Sequence, residues 1–266
     1  MPQPDTSIVG APCWAEVYTS DPARARAFYG ELFGWESTEP DPAFGGYSTF
    51  SKDGKAIAGC MQSSPENGGA TDVWALYLRT KDAQATTDAV AAKGGTVLFP
   101  PMVVGDLGTM AAYLDPGGAA IGAWQPHMHE GFGVIAEFGA PAWFELHTRS
   151  YGESVAFYHE AFGWETEVAS DAPDFRYTVA LGGGEQMAGI MDASVFAADD
   201  TAAAWVTYVA VEDIHATVAK AVELGATVLE PVADTPYGLL ARLADPSGCQ
   251  FKLQSPSPDA PEASEG

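Results

Sequence analysis

Residues 12–36, PCWAEVYTSDPARARAFYGELFGWE, align without a gap on residues 141–165, PAWFELHTRSYGESVAFYHEAFGWE, and 12 of the 25 positions are identical. Chance does not produce that agreement, so the chain carries an internal duplication. The match continues at nearly constant offset through AIAGCMQ (56–62) and QMAGIMD (186–192), then KGGTVLFPP (93–101) and ELGATVLEPV (223–232). It ends with LDPGGA (114–119) and ADPSGC (244–249). Two homologous domains of ordinary size are expected, 1–126 and 141–254, joined by a linker over 127–140. Ser255 to Gly266, SPSPDAPEASEG, is a Pro-, Ser- and acid-rich tail that cannot bury a core and is expected to be disordered.

A weaker periodicity lies inside each domain. Residues 13–19 alternate as a strand does, and 21–33 read as a helix with Asp21 as cap, Pro22 at its first position and Gly34 as its stop. Short strands are expected at 35–39, 46–51 and 55–62, which makes a βαβββ unit. The order repeats with a strand at 73–80, a helix at 82–93 closed by Gly94-Gly95, and strands at 96–99, 108–114 and 119–125. Asp115-Pro116-Gly117-Gly118 supplies the last turn. The chain thus holds four βαβββ modules, an α+β arrangement.

Composition narrows the function classes. The 266 residues contain 12 Lys+Arg against 36 Asp+Glu, a formal charge of −24, so nucleic acid and anionic membranes are not expected as partners. The acidity is spread along the chain, at −7 for 1–126, −2 for 127–139, −12 for 140–254 and −3 for 255–266. No apolar run approaches the ~20 residues of a membrane span, and the N-terminus lacks the order of a signal peptide, so a cytoplasmic location is expected. Cys13, Cys60 and Cys249 lie far apart and form no CxxC, which argues for small buried thiols rather than a disulfide framework or a zinc knuckle.

The motifs AFYGELFGWE and AFYHEAFGWE, the Gly exits before the TV strands, and the DPGG and DPSG turns resemble the vicinal oxygen chelate superfamily of glyoxalases, bleomycin-resistance proteins and extradiol dioxygenases. Repeated in order twice, they cover nearly all of residues 12–254. The resemblance implies that paired modules curl into half-open barrels of glyoxalase type around a pocket. It also implies that metal-dependent members carry His or Glu ligands on the first and last strand of each module, converging on one ion. Alignment puts Trp14, Gly59, Trp74 and Gly122 at those positions in the first domain, and Trp143, Gly189, Trp205 and Lys252 in the second. None of the eight is a metal ligand. No metal and no other cofactor is therefore expected, and the family's metal chemistry does not carry over.

Strand parity assigns the pocket linings. Ala15 and Val17, like Phe144 and Leu146, suit a helix-facing side, so Trp14, Glu16, Tyr18 and Trp143, Glu145, His147 face inward. On the last strands Lys252 and Arg242 are expected to turn toward the cavity. The first barrel is read as lined by Trp14, Glu16, Tyr18, Met61, Trp74, Leu76, Met110 and Trp124, an aromatic and thioether surface suited to a flat hydrophobic ligand. The second is more polar, with Trp143, Glu145, His147, Met187, Trp205, Thr207, Arg242 and Lys252. Here Glu145 and His147 form a candidate acid/base pair, with Arg242 or Lys252 as an oxyanion partner. The bland alternatives are tryptophans filling a core, and Arg242 or Lys252 serving only as ion-pair partners of a buried carboxylate. His127 and His129 read as solvent-exposed linker, and His159 and His215 as surface.

Two functions stand foremost, the first narrowly ahead of the second. One is a binding protein that sequesters a small hydrophobic or aromatic molecule, as resistance members of the family do. The other is a metal-independent enzyme, an isomerase, lyase or hydroxylase type, using Glu145 and His147 on a natural-product-like substrate. A metal-dependent lyase or dioxygenase with atypical ligands ranks below both, beside a purely structural role for one barrel. The partner expected is a small molecule. Monomer and homodimer are both open, as is the pairing of modules within a domain or across the chain.

Overall fold

The computed structural model describes residues 7–64, 72–198 and 201–256. The first half runs β1 (Pro12–Thr19), α1 (Pro22–Phe33), β2 (Glu36–Ser37), β3 (Ser48–Lys52), β4 (Lys55–Gln62), β5 (Val73–Arg79), α2 (Ala83–Ala92), β6 (Thr96–Val104), β7 (Gly108–Leu114) and β8 (Ala120–Pro126). The second repeats it with β9 (Pro141–Thr148), α3 (Tyr151–Phe162), β10 (Glu165–Ala172), β11 (Phe175–Gly182), β12 (Glu185–Asp192), β13 (Ala204–Ala210), α4 (Ile214–Glu223), β14 (Thr227–Thr235), β15 (Gly238–Ala244) and β16 (Gln250–Ser255). Most of the expected tail, residues 257–266, lies outside the described residues.

Local chemistry sets the helix ends. The Asp21 carboxylate accepts from Arg24 N–H, Pro22 occupies the first turn, and Gly34 closes α1 at φ 74. Asp82 and Asp213 cap α2 and α4 in the same way. Two strands differ from the alternation pattern. β2 shrinks to two residues. β6 extends through Pro100 and Pro101 to Val104; it is an edge strand, and its pairing with β7 shifts register between Phe99 and Met102, where prolines lacking N–H are tolerated.

Modules pair within each half. The strand orders are β2-β3-β4-β1-β5-β8-β7-β6 and β10-β11-β12-β9-β13-β16-β15-β14. In each sheet the two first strands meet antiparallel at the centre, Glu16 opposite Ala75 and Glu145 opposite Val206, and each lies parallel to the last strand of its own module. One face of each sheet meets helices, and the other forms the half-barrel.

The helix faces of the two halves share one core. Phe28 and Tyr29 of α1 pack on Phe251 of β16, with ring centroids at 6.3 and 5.8 Å, and Phe162 of α3 reciprocally meets Tyr113 of β7 at 6.4 Å. Polar relays cross the same boundary. Trp74 Nε1 donates to Tyr29 Oη (3.1 Å), which donates to Asp245 Oδ2 (3.0 Å). In the other half Trp205 Nε1 donates to Tyr158 Oη (2.9 Å), and that hydroxyl donates to Asp115 Oδ2 (3.3 Å). Both aspartates are 3% exposed.

Tyr29→Phe would leave the indole N–H of Trp74 and one oxygen of Asp245 without partners. A buried group stranded in this way costs about 1–3 kcal/mol, so the urea midpoint should fall while the m-value stays unchanged. An unaltered midpoint would show that the relay contributes nothing to the joint between the halves.

Candidate functional site

In the second half, β9 presents Glu145 and His147 two apart on the barrel face, both buried, at 4% and 8% exposure. The Glu145 carboxylate is the hub. His147 Nε2 lies 2.6 Å from Oε1, Tyr208 Oη donates to Oε1 (2.7 Å), and Tyr177 Oη donates to Oε2 (2.7 Å). Lys252 Nζ donates to Tyr208 Oη (3.1 Å) and stands 4.0 Å from Glu145 Oε1. Trp143 Nε1 donates to Tyr177 Oη at 3.0 Å, and Gly189 leaves the space that this hydroxyl fills.

Burial would raise the pKa of Glu145, but the His147 hydrogen bond, the charges of His147 and Lys252 and the Tyr208 hydroxyl together hold it below the ordinary carboxylate value. The carboxylate is therefore ionised. Burial, followed by the adjacent Glu145 charge, pushes the phenols of Tyr177 and Tyr208 well up, so both remain protonated donors.

Above this cluster opens a cleft of about 270 Å³. His147 lies on it, with Arg149, Glu230, Arg242, Val206, Phe196 and alanines of 193–198 and 202–204. The Phe196 ring meets the imidazole edge-on at 5.7 Å. Arg242 pairs with Glu230 (3.3 Å) and Gln250 (2.7 Å), and Arg149 Nη1 donates to Ala197 O (2.8 Å). Arg242 and Lys252 are directly opposite on β15 and β16, so both project to the barrel face as strand parity requires.

The first half repeats the frame but fills it differently. Glu16, 5% exposed, accepts from Tyr77 Oη at 2.5 Å; Tyr18 Oη lies 3.1 Å from Tyr77 Oη, and Trp14 Nε1 donates to Tyr47 Oη (2.8 Å). Met61 stands beside Tyr18, and Met110 opposite Trp124. The segment expected to be exposed linker covers this barrel instead. His129 sits edge-on to Trp14 at 4.4 Å, with Trp124 at 5.7 Å; its carbonyl accepts from Trp124 Nε1 (2.8 Å), and burial lowers its pKa. Phe132, Val134 and Ile135 are buried behind it. Of that segment's two histidines only His127 is exposed.

Further expectations are corrected by register. Trp74 is opposite Val17 and Leu76 opposite Ala15, so both lie on the helix face, where Trp74 bonds to Tyr29. Trp205 is opposite Leu146 and Thr207 opposite Phe144, and they likewise leave the pocket for the helix side. These tryptophans are core. The barrel-face positions of β5 and β13 belong to Tyr77 and Tyr208, opposite Trp14 and Trp143. The sequence reading also passed over Tyr47, Tyr177, Arg149 and Glu230. The matched tyrosines at 47 and 177, and at 77 and 208, were visible in the duplication as aromatic residues kept in both copies.

The fold, two tandem half-barrels each made of two βαβββ modules, defines a protein of the glyoxalase and extradiol dioxygenase class. The Glyoxalase/Bleomycin resistance protein/Dioxygenase superfamily model matches residues 13–122 and again 140–253, and the chain belongs to that family. It is 37% identical over 257 residues to the anthracycline biosynthesis protein DnrV of Streptomyces peucetius, covering 92% of each chain. It is 35% identical to the anthracycline biosynthesis protein DauV of Streptomyces sp. (strain C5), covering 97% of each. The crystal structure of a Mn(II)-bound glyoxalase from Novosphingobium aromaticivorans shares the fold with TM-score 0.64 at 15% identity, over 93% of this chain and 82% of that one.

The residues present do not fit the family's metal. In register, the barrel-face positions are Trp14, Gly59, Tyr77 and Gly122 in one half and Trp143, Gly189, Tyr208 and Lys252 in the other. Glu145 and His147 are bonded to each other, with the Lys252 ammonium beside the carboxylate. Among the described residues no group of three or more His, Cys, Asp or Glu could hold an ion.

Because the folded pKa of Glu145 lies below its ordinary 4.5, its ionised form stabilises the fold above that pH, and the contribution disappears as pH falls through the folded value. Glu145→Gln strands Lys252 and should cost about 3–5 kcal/mol near neutrality. Urea midpoints should show the gap between the two proteins closing as the solution is acidified below 4.5. A gap that widens in acid would reverse this assignment of the charge.

Proposed function

We propose that the second barrel is the working site, a metal-independent acid–base centre in which His147 exchanges a proton with a small ring-bearing molecule held in the cleft. One observation carries the reading: His147 both bonds to the buried, ionised Glu145 and lies on the cleft. A carboxylate orienting an imidazole is the arrangement that lets a histidine take up a proton and return it. The duplicate supplies a control. The covered first barrel keeps the glutamate, as Glu16, but carries Tyr18 where the open one carries His147.

The cleft volume, about 270 Å³, lies just below the usual range of small-molecule sites and suits one ring system rather than a whole polycycle. Relatives named for anthracycline biosynthesis support a natural-product substrate. Proton transfer needs no metal here: Tyr177 and Tyr208 hold the carboxylate, and the carboxylate holds the imidazole.

The test is hydrogen exchange. The full chain, treated with chelator and checked by elemental analysis, is incubated in D₂O with C–H-acidic cyclic ketones and phenols, and loss of the exchanging proton is followed by NMR. Exchange should proceed without metal, vanish in His147→Gln, and slow by about 10²-fold or more in Glu145→Gln. Dependence on an added divalent ion, or exchange undiminished in His147→Gln, would sink the reading. Tight binding with no exchange would favour sequestration of the ring-bearing molecule instead.

A further inference from the structure

The duplication sets two buried glutamates in matching places and shows what surrounds each. In the first barrel the carboxylate of Glu16 accepts from Tyr77 Oη, and the residue in register with Tyr77 on the last strand is Gly122. A Cβ at Gly122 would run into the Tyr77 ring, so that position cannot carry a side chain while the ring stands there. In the second barrel the matching pair is Tyr208 and Lys252. Lys252 is 7% exposed, and its Nζ lies 5.2 Å from the centroid of the Tyr208 ring. The gapless match of β1 with β9 places Tyr18 against His147, so the buried lysine and the histidine occur together in one copy.

Both act on a single oxygen. Glu145 Oε1 lies 2.6 Å from His147 Nε2 and accepts from Tyr208 Oη at 2.7 Å. The Lys252 ammonium donates to Tyr208 Oη at 3.1 Å and stands 4.0 Å from that same Oε1. An ammonium serving only as a counter-ion would take the carboxylate oxygen itself. Here the imidazole and the phenol occupy Oε1, and Lys252 stands one hydroxyl behind. A second carboxylate oxygen, Glu230 Oε2, is also 4.0 Å from the ammonium.

This spacing matters to a histidine that has to return a proton. When His147 takes a proton from a ligand C–H or O–H, the bonding electrons stay on the ligand and the ring becomes an imidazolium beside a buried carboxylate. A carboxylate acting alone at 2.6 Å, in a poorly screened interior, would hold that proton fast. The Lys252 ammonium opposes the imidazolium charge and draws on the same carboxylate, which evens the two directions of the transfer.

We propose that Lys252 is a positioning residue for the second barrel: through the Tyr208 hydroxyl it shares Oε1 of Glu145 with His147, so that the imidazole gives back the proton it accepts. This rests on the reading of His147 as the proton-exchanging group and adds the residue that sets how tightly the proton is held.

Lys252→Met removes the charge and keeps nearly the length of the side chain. All other charged groups are common to the two proteins compared. They are Arg149, Glu230 and Arg242 along the cleft, the phenols of Tyr177 and Tyr208 on the carboxylate, and Asp199 and Asp200 in the sequence, while β12 sets only Gly189 and Met191 opposite the pair. In an NMR titration the His147 ring C–H signal, assigned by its absence from His147→Gln, should reach its midpoint about one pH unit or more higher in Lys252→Met than in the unsubstituted chain. Exchange with the cyclic ketones in D₂O should slow about tenfold on the acidic limb of its pH profile and recover at higher pH. Lys252→Arg, which keeps the charge, should follow the unsubstituted chain in both measurements, whereas a side chain that only packed would shift neither curve when replaced by methionine.

In the unsubstituted chain the ζ-nitrogen signal of Lys252 should move at the same pH as the His147 ring signal, a linkage that does not depend on any variant folding. Coincident midpoints for Lys252→Met and the unsubstituted chain, methionine and arginine variants that behave alike, or a lysine signal that ignores the histidine would each overturn the inference. The ring titration needs no turnover. A chain that exchanges no proton would therefore sink the proposed reaction, while the coupling of Lys252 to His147 is decided separately by the midpoints.

Discussion

Asp115 and Asp245 each divide their two oxygens between the two halves of the chain. Oδ1 of Asp245 ties its own turn by accepting from the backbone N–H groups of Ser247, Gly248 and Cys249, while Oδ2 accepts the hydroxyl of Tyr29 from the other half. Asp115 does the same with Ala119 N–H and Tyr158. Burial raises the Asp115 pKa, and its hydrogen bonds oppose that shift. The DPxG turn thus does two jobs: it reverses the chain into the last strand, and it fixes the first helix of the opposite domain. With both helices seated against both sheets, the helix faces are committed to one core, and the barrel faces are left for ligands.

Two barrels built on one frame need not share a fate. Both keep a buried glutamate on the central strand and tyrosines to satisfy it, because a carboxylate at that depth is unfavourable without donors. In the first barrel the ring of His129 and the carbonyl behind it complete the packing over Trp14 and Trp124. Among the described residues nothing covers the corresponding surface of the second, and the imidazole of His147 and the guanidinium groups of Arg149 and Arg242 line the cleft there.

The two misplaced tryptophans share one cause. Trp74 and Trp205 were read as pocket residues because large aromatics at matched positions suggest a ligand platform. The antiparallel pairing of β5 with β1 and of β13 with β9 puts them opposite Val17 and Leu146, on the core side. Alternation along a strand says which residues share a face, and where both faces carry large apolar residues, as in β5 and β13, only the neighbouring strand says which face is which. Glu16, Glu145, Arg242 and Lys252 were legible because their own strands carry an unambiguous apolar side. His129 was not legible, since nothing local distinguishes an exposed loop histidine from one that meets two indoles from other strands.

The sequence by itself determined the duplication, the four βαβββ modules, the family, and the set of polar residues that had to face away from the helices. Repeat and alternation are properties of the chain, and capping and turn chemistry act over a few residues. Tertiary structure alone decided that modules pair within each half, that the 127–135 segment covers the first barrel, and that His147, Arg149, Glu230 and Arg242 meet at one cleft. Those outcomes depend on which strands become neighbours and how their registers fall, contacts between residues tens to more than a hundred positions apart that no local pattern encodes.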